Sequence, residues 1–357
     1  MKLISINIEC WIRIYYYNNS FLLYVKRNCK STLFNFILLI SSPYILLNAI
    51  CKFVYEIIYG KKYICNLMLS DLKKKFLNEI AIVAIAKNEG LYIREWIEYH
   101  RLVGINKFYF YDNDSTDNTM DILKPYIDSG IVEYTLLSGK AKQLVAYNDA
   151  IKKHKNECRW MAFIDLDEYL MPTKPFESIS DICNRLIQNA SKGAVGVGVN
   201  WAVYGSSHYE KKVKGLIIEN YTMRGENYHW VNFHIKTICN PRMVKNYISP
   251  HYPLYKLGGY SISETTGERL YGWFCHTVEY ENMRINHYFT KSKEEYVDKR
   301  ERGLGDRLGK YDMEKFNTYN LNDHQDNNML VYAEQMKKVL QDNDRIYLAN
   351  EKNVTVI

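Results

Sequence analysis

From residue 80 onward the chain alternates apolar runs of strand length with segments of helical spacing. The runs are IAIVAIA (80–86), KFYFYD (107–112), IVEYTLL (131–137) and RWMAFI (159–164), and helices are predicted over 91–104, through DILKPYI (121–127) and over 142–154. Unbroken apolar runs are typical of strands buried on both faces, and strands that alternate with helices build parallel sheets. Proline removes a helical hydrogen bond, so we expect Pro125 to end or kink the second helix. The sequence therefore predicts an α/β fold with a mostly parallel sheet flanked by helices.

Polar side chains follow the first, second and fourth predicted strands. These tips read KNEG (87–90), DNDSTDNT (112–119) and DLDE (165–168). In open α/β sheets ligands bind outside the carboxyl ends of the strands, so we expect the three tips to meet in one site. The sequence contains neither a P-loop motif nor the glycine fingerprint of dinucleotide-binding folds, which argues against those two classes.

Asp165, Asp167 and Glu168 follow directly on the apolar run WMAFI. Burying an ionised carboxylate is costly unless it is paired or bound to a metal. Side chains two apart in an extended strand share a face, so Asp165 and Asp167 are expected to point the same way. Two such carboxylates suit Mg²⁺ or Mn²⁺, which can neutralise the charge on a leaving diphosphate. A helix N-cap or a surface salt bridge is the alternative, and it accounts poorly for all three acids.

The net charge of the chain belongs to its N-terminal segment. Residues 1–80 carry eleven Lys or Arg and four Asp or Glu, so that 11 − 4 = +7, and the whole chain is also +7. The balanced body argues against nucleic acid as a partner. The uncharged run 31–51 is long enough as a helix to cross a bilayer, although Pro43 and its polar neighbours weaken it. We expect residues 1–78 to attach to a membrane surface; a helical hairpin packed on the body is the alternative.

The cysteines indicate the compartment. The chain has eight, scattered singly without a C-x-x-C pair. This usage predicts a reducing setting. We therefore expect a cytoplasmic protein that is associated with the inner face of the membrane.

The motifs at the strand tips resemble those of a known enzyme class. AIAKNEGLYIREWIEYH (84–100), YDNDSTDNT (111–119) and FIDLDEYL (163–170) resemble, in this order and spacing, the nucleotide-sugar half of a GT-A glycosyltransferase, and DLD is similar to its D-x-D. NWAVYGSSHY (200–209), HIKTICNPRMV (234–244), SPHY (249–252) and INHYFTKSKEEYVDKRERG (285–303) resemble glycosyltransferase family 92 and its bacterial relatives. The resemblance runs from about residue 80 to 306 and leaves the first 78 residues outside.

This resemblance implies a GT-A-like sheet with a nucleotide-sugar site at its edge. Asp112 matches the position that contacts the nucleobase or ribose, and a carboxylate there can accept from a uracil N–H or a ribose hydroxyl. Glu89, Asp114 and Asp165 are implied to contact the same nucleotide. For Glu89 and Asp114 the alternative is service at a helix start or in a turn.

The resemblance also implies a metal site and a sugar site. Mn²⁺ or Mg²⁺ would be held by Asp165, Asp167 and His287. The donor sugar or acceptor would be contacted by Trp201, Gly205, Ser206 and His251. Core packing is the alternative for Trp201, and a structural role is the alternative for the histidines. His208 stands where the family has a second glycine, which leaves the conformation of this loop open.

The implied reaction is the inverting transfer of a sugar, from a UDP-sugar in preference to other donors, to a hydroxyl of a glycan or glycolipid in cell-surface polysaccharide or lipooligosaccharide assembly. Glu219 is our predicted base by its order along the chain, and Glu226, Glu264 and Glu268 stay open. A sugar nucleotidyltransferase and a non-catalytic membrane-associated binding protein are the rival functions. The predicted boundaries are 1–78 for the N-terminal segment, 79–290 for the transferase domain and 291–357 for a C-terminal helical extension.

Overall fold

The computed structural model describes residues 59–302, 309 and 312–352. The run 31–51, and with it the choice between membrane attachment and a packed hairpin, lies outside these residues. Among the helices that are described, none has both the length and the apolar character needed to cross a bilayer.

The first half of the chain forms the predicted alternation of strands and helices. After α1 (Lys61–Lys73) come β1 (Asn78–Ala86), α2 (Gly90–Leu102), β2 (Phe108–Asp112), α3 (Thr119–Asp128), β3 (Val132–Leu136), α4 (Gln143–His154) and β4 (Cys158–Phe163). The four strands are all parallel and lie in the order β3-β2-β1-β4. The mostly parallel α/β sheet flanked by helices is therefore confirmed.

The second half extends the same sheet with strands of mixed direction. It contains β5 (Glu168–Pro172), α5 (Ile179–Asn189), β6 (Ala194–Val203), α6 (Ile217–Asn220), β7 (Met223–Arg224), β8 (Ile235–Cys239), β9 (Val244–Tyr247), β10 (Pro253–Tyr255), β11 (Tyr260–Ser263) and β12 (Met283–His287). The order continues β4-β8-β6-β12-β5, and β11 pairs with β6. Because β8 is antiparallel to both β4 and β6, its N-terminal end lies at the edge where β4 and β6 finish.

Successive residues of β1 enter different cores, which explains its unbroken apolar run. Ile82 packs in the larger core with Trp96 of α2, whereas the next residue, Val83, packs in a second core with Tyr147 of α4. A strand covered on both faces cannot alternate apolar with polar side chains. The same reasoning accounts for the apolar character of the other central strands.

The C-terminal part of the chain is built into the body of the fold. It comprises α7 (Lys293–Arg302), α8 (Met313–Tyr319), β13 (His324–Gln325) and α9 (Leu330–Lys352). Tyr332 and Met336 are fully buried in the larger core. Asp326 forms ion pairs with Arg224 and Arg284 at 2.7 and 2.9 Å. The predicted C-terminal helical region is thus confirmed, while the boundary placed at residue 290 stays a prediction.

The helix α1 is also tied to the body. Ile64 packs against Val195, and the Asp71 carboxylate accepts from Arg242 at 2.6 Å and from Asn240 at 3.0 Å. This end of the predicted N-terminal segment therefore contacts the sheet edge opposite to the polar strand tips.

Two local predictions differ from the structure. Pro125 does not end α3, because the helix continues to Asp128 and Ser129 N–H donates to the Pro125 carbonyl at 3.1 Å; a kink at Pro125 stays a prediction. The prediction that residues 164–167 extend β4 is wrong. They form a turn in which Glu168 N–H donates to the Asp165 carbonyl at 3.1 Å, so Asp165 and Asp167 do not share a strand face.

Candidate active site at the carboxyl edge of the sheet

The loops after β1 and β2 are joined by hydrogen bonds. Asn88 accepts from Thr116 N–H at 2.7 Å through its side chain, and its own N–H donates to Ser115 at 3.0 Å. Asp112, which is buried, accepts from Ser115 N–H at 2.8 Å and from the Tyr134 hydroxyl at 2.9 Å. These contacts order the two tips side by side, as predicted, and they already engage both oxygens of Asp112.

Glu89 and Asp114 lie on the same two loops. Glu89 directly precedes α2, and its side chain is half-buried. Asp114 has a φ of 60° and accepts from Gly139 N–H at 2.9 Å. The N-cap position of α3 belongs to Asn118, so Asp114 does not cap that helix. The assignment of both residues to the nucleotide stays a prediction.

Asp165 is held by groups from two neighbouring elements. Its Oδ1 accepts from Gln143 of α4 at 2.7 Å, and its Oδ2 accepts from Lys236 of β8 at 3.0 Å. Lys236 lies at the N-terminal end of β8 and is buried. Burial disfavours the charge on Lys236, but Asp165 and Glu168 outweigh burial and raise the lysine pKa well above its ordinary value. The ammonium is therefore a fixed positive charge at this edge.

Glu168 is fully buried beside the same lysine. Its Oε2 lies 3.3 Å from Lys236 Nζ and accepts from Asp165 N–H at 2.9 Å. Burial raises the pKa of Glu168 to about 8, and the charges of Asp165 and Asp167 add to the rise against the lowering effect of Lys236. One lysine does not compensate two carboxylates, so Glu168 holds a proton near neutral pH.

Asp167 faces a second set of groups. Its Oδ1 lies 3.6 Å from His287 Nε2 at the end of β12, and its Oδ2 accepts from Lys299 of α7. Burial opposes ionisation of Asp167, but Lys299 and His287 outweigh burial and hold its pKa well below the usual range. Burial lowers the pKa of His287. Near neutral pH the pair is thus a carboxylate beside a neutral imidazole.

A group of rings adjoins His287. The Trp201 ring lies 4.3 Å from the His287 ring between centroids, 4.9 Å from His234 and 5.2 Å from His251. Burial lowers the pKa of His251, so its ring is neutral. The Nδ1–H of this ring donates to the Ile235 carbonyl at 2.9 Å. The structure therefore brings together Trp201, His251 and His287, which were predicted to contact sugar or metal.

The loop after β6 is shaped by the C-terminal segment. A Cβ on Gly205 would lie 2.3 Å from the Leu321 carbonyl oxygen, so only glycine fits there. Ser206 N–H donates to Asn320 at 2.7 Å, and the next residue's N–H donates to Asn322 at 2.8 Å. His208 has a φ of 65°, and it therefore adopts the left-handed backbone that a glycine would favour.

The predicted base Glu219 lies on α6 and is paired with Lys337 of α9. The N-terminal end of α6 is held by Glu95, which accepts from Ile217 N–H at 2.9 Å and from the following N–H at 3.2 Å. Among the alternatives, Glu264 is buried and accepts from backbone N–H groups of β12 and the residue before it, while Glu226 and Glu268 are exposed. The identity of the base stays a prediction.

Asp165, Asp167 and His287 are the predicted ligands of a divalent cation. Within the described residues, no three His, Cys, Asp or Glu side chains surround a common point as metal ligands do. Asp167 and His287 nevertheless fit such an ion as a pair, because a carboxylate oxygen and a neutral imidazole nitrogen are both suitable ligands. His287 Nδ1 is buried without a hydrogen-bond partner in this part of the chain. Asp165 faces Lys236, and its role as a ligand stays a prediction.

Sequence reasoning missed several members of the site. They are Gln143, Lys236, Lys299, Asn320 and Asn322. For Lys236 a signal existed, since it is the lone charge in the buried strand IKTIC and required a carboxylate partner. The others reach the site from distant parts of the chain, and no local pattern marks them.

These observations define a GT-A-like α/β fold with an acidic site at the carboxyl edge of its sheet. The model of glycosyltransferase family 92 matches residues 81–340, and the chain belongs to this family.

Similar proteins include a glycosyltransferase family 92 protein of Ricinus communis, 29% identical over 99 residues that cover 27% of this chain and 18% of the relative. The galactan beta-1,4-galactosyltransferase GALS2 of Arabidopsis thaliana is 30% identical over 101 residues, 25% of this chain and 19% of the relative. The chain thus spans less than a fifth of the length of these two relatives. Among solved structures, S. aureus TarS 1-349 in complex with UDP-GlcNAc has a TM-score of 0.32 at 16% identity over 46% of each chain.

Proposed function

We propose that this protein is an inverting, metal-dependent glycosyltransferase that moves a sugar from a UDP-sugar to a hydroxyl of a glycan acceptor. The observation that carries the proposal is the acidic turn after β4, which faces Lys236 on one side and His287 on the other, at the carboxyl edge of a family 92 domain. Ligands of open α/β sheets bind at this edge. The name of the galactan galactosyltransferase relative supports UDP-galactose as the first donor to test.

The nucleotide would lie over the loops after β1 and β2. Asp112 and Asp114 offer carboxylate oxygens to a uracil N–H or to ribose hydroxyls, and Glu89 borders the same loops. Asp112 is already fixed by Ser115 and Tyr134. Such fixed acceptors orient a ligand without having to be ordered when it binds.

The diphosphate would lie between these loops and the turn after β4. Asp167 and His287 would hold Mn²⁺ or Mg²⁺, with Asp165 predicted as a further ligand, and the bound ion would supply positive charge beside the leaving diphosphate. Lys236 fixes the orientation of Asp165, and Lys299 fixes that of Asp167. Lys236 and Asp167 are buried, and burial strengthens their interactions with charge.

The acceptor hydroxyl has to lose a proton during an inverting transfer. Glu219 remains our proposed base, and general-base assistance is typically worth about 10²–10⁴-fold. In this structure Glu219 is paired with Lys337, so the proposal requires that acceptor binding replaces or rearranges this pair.

The setting of the enzyme is proposed from its N-terminal segment. The charge of that segment and the run 31–51 support attachment to the inner face of the cytoplasmic membrane. A glycolipid or a growing cell-surface polysaccharide would then be the acceptor.

The proposal is tested with full-length protein, Mn²⁺ and a panel of nucleotide sugars, with calorimetry for binding and UDP release for turnover. We expect one UDP-sugar to bind and to release UDP slowly in the absence of acceptor. A sugar nucleotidyltransferase would instead consume a nucleoside triphosphate and release pyrophosphate. A non-catalytic binding protein would release neither product, and either result would contradict the proposal.

A further inference from the structure

Large aromatic side chains are exposed together at the carboxyl edge. Trp230, Trp273 and Phe274 have 51%, 45% and 40% of their surface accessible to solvent. His234 joins them, with its ring 6.0 Å from Trp230 and 4.6 Å from Phe274, and Phe274 lies 6.1 Å from Trp273. We call Trp230, Trp273 and Phe274 the aromatic platform. Because the rings are neighbours, the platform is a contiguous surface and not three scattered exposures.

The backbone beneath the platform is fixed to the sheet. Ile235 N–H donates to the Trp273 carbonyl at 3.1 Å, and Cys275 N–H donates to the Phe233 carbonyl at 2.8 Å. Asn200 of β6 donates to the carbonyl of Cys275 at 2.9 Å. The rings are therefore presented to solvent by an ordered segment. An exposed apolar patch of this kind marks an interaction site, and its prior order lowers the entropy cost of binding.

The platform is continuous with the candidate active site. His234 stacks on Trp201 at 4.9 Å with an interplanar angle of 21°, and Trp201 in turn lies 4.3 Å from His287. Trp201 Nε1 is a buried donor without a hydrogen-bond partner in the described part of the chain. The series of rings thus runs from the Asp167–His287 pair to the surface.

We propose that the aromatic platform binds the acceptor glycan at sugar residues beyond the one that receives the transferred sugar; this inference rests on the proposed function. The C–H face of a sugar ring packs on an aromatic face, while its hydroxyls stay hydrated or bind polar neighbours. Trp201 and His234 separate the platform from His287, so a monosaccharide at the active site would not reach it. The platform therefore confers preference for oligosaccharide acceptors.

The charges around the platform favour a glycan over a membrane. Glu268, Glu279 and Glu281 are exposed in the same stretch of chain, where Arg269 is exposed too, so that acids outnumber basic side chains there. Glu279 accepts from the hydroxyl of Tyr228. Carboxylates at a membrane-facing surface would be repelled by anionic lipids. For a neutral sugar they are additional hydrogen-bond acceptors.

The inference is tested by applying the full-length protein to an array of printed oligosaccharides and by measuring UDP release in parallel. We expect the wild-type protein to bind glycans of three or more sugars, and Trp230→Ala and Trp273→Ala each to weaken that binding about tenfold, as loss of one stacking contact implies. Trp273→Phe should recover most of the affinity. The control is Tyr63→Ala, which removes an equally exposed ring, 54% accessible, from α1 and should leave glycan binding at the wild-type level.

Each contrary result has a distinct meaning. The assignment of the platform to the acceptor glycan would be wrong if UDP were released without binding to any oligosaccharide, or if the platform variants bound glycans as tightly as wild type. Either result would leave the proposed function standing. Loss of adherence to phosphatidylglycerol vesicles in Trp273→Ala, with glycan binding retained, would make this surface a membrane contact instead. No UDP release from any UDP-sugar would overturn the proposed function and this inference with it.

Discussion

The buried lysine at the acidic turn allows a quantitative prediction. Lys236→Met removes the cation that lies 3.0 Å from Asp165 and 3.3 Å from Glu168. Breaking a buried ion pair from one side costs about 3–5 kcal/mol. The Asp165 side chain is 34% exposed and keeps its bond to Gln143. We therefore expect the low end, a loss of about 3 kcal/mol in the free energy of unfolding at pH 6.

The cost should grow with pH because of Glu168. The pKa of Glu168 is raised from 4.5 to about 8 in the folded wild-type protein. The free energy of unfolding therefore falls as the pH rises from 4.5, the pKa in the unfolded chain, to about 8, and it is constant above that pH. Lys236 lowers this pKa, so the pKa of folded Glu168 is higher in Lys236→Met. The free energy of unfolding of this variant therefore continues to fall above pH 8. Each further pH unit adds about 1.4 kcal/mol. The loss relative to wild type should therefore reach about 4 kcal/mol at pH 9.

The assay is urea unfolding followed by circular dichroism at pH 6 and pH 9. Measured against the single variant Glu168→Gln, the double variant Lys236→Met/Glu168→Gln should show a loss that does not depend on pH, because neither protein carries the titrating group. Lys124→Met is the control, since Lys124 pairs with Asp128 at 3.3 Å on the surface and should cost less than about 0.5 kcal/mol. An equal loss at both pH values in Lys236→Met would refute the reasoning.

Three further outcomes follow from the structure. His287→Ala should raise the Mn²⁺ concentration needed for half-maximal activity; a lower melting temperature with unaltered metal dependence would show a purely structural histidine. Asn322→Ala, which removes the acceptor for Ser207 N–H, should lower transfer several-fold, and wild-type turnover would contradict a role for the C-terminal segment in shaping this loop. Full-length protein should pellet with membranes even at high salt because apolar burial is not screened, whereas a protein truncated before residue 59 should not; soluble full-length protein without detergent would end that expectation.

The order of strands and helices in the first half was accessible from the sequence. The run around Ile82 and Val83 is apolar without interruption because each face of β1 packs against a core. Such a run can be recognised within a short stretch of sequence. The same locality explains why the tips after β1 and β2 were placed correctly beside each other. Parallel strands joined by helices bring their carboxyl ends to one edge.

The contents of the site were less accessible because they depend on contacts between distant residues. Lys236 reaches Asp165 across 71 positions, and this happens because β8 enters the sheet antiparallel to β4. Asn320 reaches Ser206 across 114 positions. The turn at 164–167 was misread for a related reason, since the pairing of β5 with β12 turns the chain away from β4 and leaves no sign within FIDLDEYL.

The most direct test of the account is UDP release from UDP-galactose by the full-length wild-type protein and by Asp167→Asn, with Mn²⁺ present. Asp167 is the carboxylate that faces both His287 and Lys299, and the substitution removes its charge with little change in shape. We expect slow release by wild type, and release lowered by orders of magnitude in Asp167→Asn at a temperature where circular dichroism shows the variant to be folded. Its melting temperature should fall, because Lys299 loses its carboxylate partner. Near-normal release by Asp167→Asn would contradict the assignment of the diphosphate and its cation to this turn.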